Sequence, residues 1–189
     1  MTIPHQLKDL PTDKHGRPVP YVILFDLDGI PNFKINDTAK VNDCLENDKC
    51  PICGRKLNGD MWLIGGEMSA FHPNGAYIDP PTHKICGQFA LENCPYLSMP
   101  NYKASPDPTA AIKNKRLPAA TMFYNPTVSL DLLSFFVFVK VKSFSVKRYN
   151  VFERFIKAER PYLETEFWRG GKKITIHEAV RHKLEKETF

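Results

Sequence analysis

Two short pairs of residues in this chain have the types and spacing that hold a metal ion. Cys50 and Cys53 are separated by two residues in "CPICG", and His83 and Cys86 are separated by two in "DPPTHKIC". Three thiolates and one imidazole form a donor set that tetrahedral zinc takes in closed structural sites, where protein fills all four positions and no reactive water is bound. The expectation is one structural zinc held by Cys50, Cys53, His83 and Cys86. Gly54 follows the first pair and supplies the left-handed backbone that turns a chain sharply around a metal. The rival reading is a set of ordinary buried thiols, since free cysteine is among the most buried residue types; the two-pair spacing favours metal. Cys94 lies eight residues beyond Cys86, or ~12 Å along a continuous helix at 1.5 Å per residue, too far to share the ion. It reads as core. Cys44 and His72 are the alternatives that would replace a ligand.

The elements around these pairs follow from local signals. Asp79, Pro80 and Pro81 read as a helix start, with an acidic N-cap and prolines where a missing N–H costs nothing. His83 and Cys86 then share one helix face. Residues 61–79 carry two apolar arms around Pro73-Asn74-Gly75, the pattern of a β-hairpin. Knuckle, hairpin and ligand-bearing helix in that order resemble the treble-clef zinc fingers, over Cys50 to about Tyr96.

Composition bounds the rest. The chain has 189 residues, 42% of them hydrophobic, with net charge +5, enough to bury a core in one domain or two small ones. Five cysteines at metal-ligand spacing, with no signal-peptide pattern, point to a reducing cytoplasm. The longest apolar run, around "LLSFFVFV", is about eight residues against the roughly 20 that span a bilayer, so no membrane span is expected. Charge is uneven: residues 1–100 hold 9 Lys/Arg and 12 Asp/Glu, residues 101–189 hold 17 and 9. The basic half is the one suited to an acidic partner.

Four segments follow. Residues 1–48 read as a hairpin turning at Asp28-Gly29 and a short helix capped by Asn36 and Asp37. Residues 49–99 hold the zinc module. Residues 100–126, rich in proline, read as a linker or surface arm. Residues 127–189 form a basic strand and helix region packed with the rest. There "FFVFVKVKSFSVKRY" reads as one strand with Val137, Val139 and Val141 on one face. "NVFERFIKAERP" reads as a helix from the spacing of Phe152, Phe155 and Ile156, stopped by Pro161. "EFWRGGKKIT" gives strand, Gly170-Gly171 turn and strand, and Thr175 with Glu178 gives the capping box of a final helix.

Several strings invite a catalytic reading. "VILFDLDGI" resembles the first motif of haloacid-dehalogenase-like phosphohydrolases, with Asp26 as nucleophile and Asp28 as general acid. The later acidic pair of that family's magnesium site is missing, and a hairpin turn explains the string with less. HNH nucleases are treble clefs with a hairpin histidine that activates water, which points to His72 and Asn74, but their Asp-His pair and later helix ligands are absent. The zinc deaminase pattern fails because no His-x-Glu precedes "KCPICG". Lys140, Lys142, Lys147, Arg148 and Tyr149, with Arg154, Lys157 and Arg160 beyond, could follow a phosphate backbone while aromatics stack on bases. A solvated charged face on an edge strand is the commoner use of such residues.

"LPTDKHGRPVPYV", "CPICG", "DPPTHKICGQFALENCPYL" and "WRGGKKITIHEAV" together resemble an uncharacterised family of small prokaryotic and bacteriophage proteins, over much of residues 10–185. The resemblance implies family positions at Cys94 and Trp168 and no established activity. The expectation is an α+β protein built on one treble-clef zinc module. Its expected role is that of a non-catalytic phage or bacterial factor binding nucleic acid or a host protein, with a metal-dependent nuclease as the alternative.

Overall fold

A turn at Asp26–Gly29 folds the N-terminal apolar run back on itself. The Asp26 carboxylate accepts from the N–H groups of Asp28 and Ile30 at 3.0 and 2.8 Å, and Gly29 takes φ 75°, where a side chain would strain the backbone. β1 (Ile23–Phe25) and β2 (Pro31–Asn36) therefore pair antiparallel. The Asp-x-Asp-Gly string is spent on this turn. Asp37 then caps α1 (Thr38–Glu46), accepting from the Ala39 N–H at 2.9 Å, and the helix buries Val41 and Cys44. The computed structural model of the chain describes residues 2–98, 133–148 and 154–187.

The hairpin expected over residues 61–79 does not form. β3 (Trp62–Gly65) is followed by α2 (Glu67–Phe71), which starts as soon as Gly65-Gly66 ends the strand. The second arm contributes only an isolated bridge, Tyr77 to Ile156, with both N–H···O distances 2.8 Å. The physical reason is that the chain turns into α2 at Gly66 before the local arm can align, and the edge of β3 pairs with a remote strand instead. The ligand-bearing helix α3 (Lys84–Asn93) also begins later than its prolines suggest. His83 is its N-cap residue, and the Asp60 carboxylate accepts from the Lys84 N–H at 2.9 Å. Thr82, just before it, is extended and bridges Trp62. A short α4 (Pro95–Ser98) follows.

The remote partner of β3 is β4 (Phe136–Lys140), whose Val137, Phe138 and Val139 are fully buried. The expected single long strand is two, because the chain leaves the sheet after Val141: β5 (Phe144–Arg148) pairs instead with β6 (Arg154–Ala158). β6 overturns the expected helix. The ladder to β5 places Ile156 opposite Val146 and buries it completely, a long-range pairing that outweighs the local helical spacing. Phe152, Tyr149 and the proline-rich stretch 100–126 lie outside the described residues. β7 (Glu164–Arg169) and β8 (Lys172–Ile174) complete an antiparallel sheet of order β3-β4-β7-β8. The final helix α5 (Ile176–Glu187) opens with the capping box: Glu178 accepts from the Thr175 N–H at 2.7 Å, and Thr175 Oγ1 accepts from the Glu178 N–H at 3.2 Å.

The four-stranded sheet is covered on both faces. One carries Trp62, Phe138 and Trp168 against Leu91 of α3; the other carries Leu63, Val137 and Val139 against Tyr77, Ile156 and Ala179 of α5. The architecture is α+β with open sheets. Because β3 lies between the two ligand pairs and pairs with β4, the metal-ligand segment and the C-terminal region share one sheet. Among the described residues, no helix is long and apolar enough to cross a membrane.

Candidate metal centre

The first ligand pair sits on a tight knuckle. The Cys50 N–H donates to Arg55 O and the Gly54 N–H to Cys50 O, both at 2.8 Å. Gly54 takes φ 72°, and a Cβ there would sit 3.1 Å from the Tyr21 ring, so glycine serves both the turn and the close approach. The N-terminal segment fastens onto the knuckle through the Tyr21 N–H to Ile52 O at 2.9 Å and the Val22 N–H to Pro51 O at 3.1 Å. Leu7 and Leu57 complete a buried shell around Cys50, Cys53 and Cys86.

The second pair comes from the start of α3. The Trp62–Thr82 bridge fixes the strand before it, and Asp60 ties down its first turn. His83 Nδ1 lies 3.4 Å from Cys53 Sγ and 3.8 Å from Cys86 Sγ, and the four ligand atoms all lie within 4.8 Å of one another. A tetrahedral zinc with bonds of ~2.3 Å to sulfur and ~2.0 Å to nitrogen has N···S edges of ~3.5 Å and S···S edges of ~3.8 Å. The donor set and its separations fit that ion. His83 Nε2 lies 2.9 Å from Lys56 O; a carbonyl only accepts, so Nε2 carries a proton, and in the neutral imidazole the Nδ1 lone pair faces the thiols. This is the outer hydrogen bond that orients an imidazole ligand.

Without a cation, the cluster keeps protons that a bound metal ion would displace. Burial opposes a charge on Cys50, but hydrogen bonds from Cys53, Cys86, His83 and Thr82 hold its thiol far below the usual range. Cys86, hydrogen-bonded to Cys50 and Cys53, is pushed up, and His83 is pushed up to about 10, first by its contact with Cys50. A bound cation would offset the repulsion that three thiolates at this separation otherwise suffer.

The other sequence candidates lie elsewhere. Cys44 is outside the cluster, packed with Val22 and Val41, and burial pushes its thiol up to about 12. Cys94 caps the end of α3. His72 is an exposed residue closing α2, and its Nδ1 accepts from the Asn74 N–H at 3.1 Å; the nuclease hairpin that would have carried it is absent. The basic residues are divided among β4, β5, β6 and the segments that follow them. Lys140 on β4 pairs with Glu164 at 3.3 Å, Arg160 donates to Ala70 O and His72 O at 2.8 and 2.7 Å, and Arg154 donates to Asn42 Oδ1 at 2.9 Å. Lys142 and Lys147 are exposed, Arg148 closes β5, and Tyr149 lies outside the described residues.

Three contributors had no signal in the sequence: the Lys56 carbonyl, Thr82, and Glu166. Glu166 is buried on β7 and accepts from Gln88 of α3 at 3.2 Å, Trp168 Nε1 at 3.0 Å and Lys173 Nζ at 3.0 Å. It locks the ligand-bearing helix onto the sheet. No family model, curated protein or solved structure matches the chain, so none of these comparisons bears on a prokaryotic or phage origin.

Proposed function

We propose that the chain is a zinc-stabilised, non-catalytic binding protein, with one structural zinc on Cys50, Cys53, His83 and Cys86 and a nucleic acid as its partner. The observation that carries the zinc is the convergence of three buried or nearly buried thiols and one oriented imidazole within 4.8 Å of one another. A closed set of four protein donors leaves no position for a substrate or an activated water, so the metal acts on the fold. Knuckle and ligand-bearing helix keep the order of a treble clef, with the central hairpin replaced by β3 and α2. Zinc supplies a four-point tie between them.

The nucleic-acid part rests on β5 and β6. Their register puts Ser145 opposite Lys157 and Lys147 opposite Phe155, on the face away from buried Ile156. Two lysines flanking an aromatic ring provide phosphate contact beside a stacking surface. The test is fluorescence anisotropy of the zinc-loaded protein with single-stranded and duplex DNA and RNA at two salt concentrations. Two phosphate contacts to a duplex predict an affinity loss of about 12-fold between 50 and 200 mM salt, and Lys147→Glu with Lys157→Glu should abolish binding. No binding at low salt would overturn the nucleic-acid part and turn attention to a protein partner.

A further inference from the structure

Resting on the zinc reading, we propose that Thr82 is a positioning residue of the metal centre: its hydroxyl donates to the Cys50 thiolate and thereby slows release of the ion. Thr82 Oγ1 lies 3.0 Å from Cys50 Sγ. A metal-bound thiolate has no proton, so the hydroxyl is the only donor of the two. The nearest competing acceptor, His83 O, is farther at 3.4 Å, and both Thr82 and Cys50 are buried, which removes water as an alternative partner.

The hydroxyl is also held in place. The Thr82 N–H donates to Trp62 O at 2.8 Å and the Trp62 N–H donates to Thr82 O at 2.9 Å, which pins its backbone to the sheet. Its methyl group lies beside Gly87, where an added Cβ would come within 2.9 Å of it, so the side chain has little room to rotate. Bond and backbone together preorganise one donor for one ligand. A hydrogen bond to a thiolate withdraws charge from sulfur and lowers the free energy of the bound state; outer partners of metal ligands typically change metal affinity about 10- to 100-fold. Cys53 and Cys86 have no hydroxyl donor at comparable distance among the described residues, which makes Cys50 the ligand singled out for this support.

The experiment compares zinc-loaded wild type, Thr82→Val and Thr82→Ser, measuring zinc transfer to a chromogenic chelator and the sulfur-to-cobalt charge-transfer band of the cobalt-substituted proteins. Valine keeps the shape and removes the hydroxyl; it should release zinc about 10- to 100-fold faster, with the charge-transfer band moved to lower energy because the sulfur is more electron-rich. Serine should restore both values. Should the valine variant not fold, Thr82→Ala against Thr82→Ser makes the same hydroxyl comparison. A wild type that binds one zinc while the hydroxyl-free variant shows the same release rate and the same band overturns this inference alone. A wild type that binds no zinc overturns the zinc reading itself.

Discussion

Replacing Gly87 by alanine should destabilise the protein, although the same change in most helices does the opposite. Gly87 sits in the first turn of α3, directly over the sheet. A Cβ at this position would lie 2.4 Å from Phe138 Cζ, 2.7 Å from Phe138 Cε2 and 2.9 Å from Thr82 Cγ2. Neither neighbour yields easily: Phe138 is fully buried and its ring packs 4.6 Å from that of Trp62, while Thr82 is fixed by its backbone bridge. Restoring ordinary contact requires the helix or ring to move by ~1 Å. Overpacking of this kind costs typically 1–3 kcal/mol, and glycine's own penalty inside a helix returns only about 0.5–1 kcal/mol. The net expectation is a loss of about 1–2 kcal/mol. Urea unfolding followed by tryptophan fluorescence is a direct assay, since Trp62 and Trp168 belong to the same apolar cluster as Phe138. Truncating the ring with Phe138→Leu should cost less in the alanine background than in wild type, with a coupling of about 0.5–3 kcal/mol between the two sites. A Gly87→Ala protein as stable as wild type, or more so, would refute the packing of α3 on β4.

Further outcomes follow from the same contacts. Cys44→Ala and Cys94→Ser should leave zinc stoichiometry unchanged in elemental analysis, because neither residue belongs to the cluster; Cys86→Ser should lower zinc retention and stability together, since structural zinc is coupled to folding. Glu166→Gln should cost about 1–3 kcal/mol by weakening a buried charged acceptor. Burial opposes the Glu166 charge, but hydrogen bonds from Lys173, Gln88 and Trp168 outweigh it and lower its pKa. Its stabilisation is therefore present above the ordinary glutamate value and lost as pH falls below it; urea titrations at pH 7 and in the acid range should show a shallower acid-side loss in the variant. His72→Ala should change neither zinc content nor thermal midpoint, as the side chain is exposed and serves only its own turn.

The cluster of Cys50, Cys53, His83 and Cys86 was legible because ligand spacing is a local property. Two residues between donors dictate a knuckle or a helix turn whatever surrounds them, and Cys50, Cys53, His83 and Cys86 converge as their spacing implies. The turn at Asp28-Gly29, the Asp37 cap and the Thr175–Glu178 box were readable for the same reason. Pairings across long stretches of chain were not. Trp62–Gly65 carries no mark that its partner is Phe136–Lys140, so the local hairpin looked sufficient. Phe152, Phe155 and Ile156 show helical spacing, and only the ladder to β5 makes Phe155 and Ile156 part of a strand. Thr82 and the Lys56 carbonyl support ligands from positions that no spacing rule reaches.

The central claim is a closed zinc site of three sulfurs and one nitrogen. Zinc-edge X-ray absorption on the purified protein, with elemental analysis of the same sample, tests it most directly. The account predicts one zinc per chain, with three sulfurs at ~2.3 Å and one imidazole nitrogen at ~2.0 Å. A metal-free folded protein, or a zinc shell containing exchangeable oxygen, would contradict it.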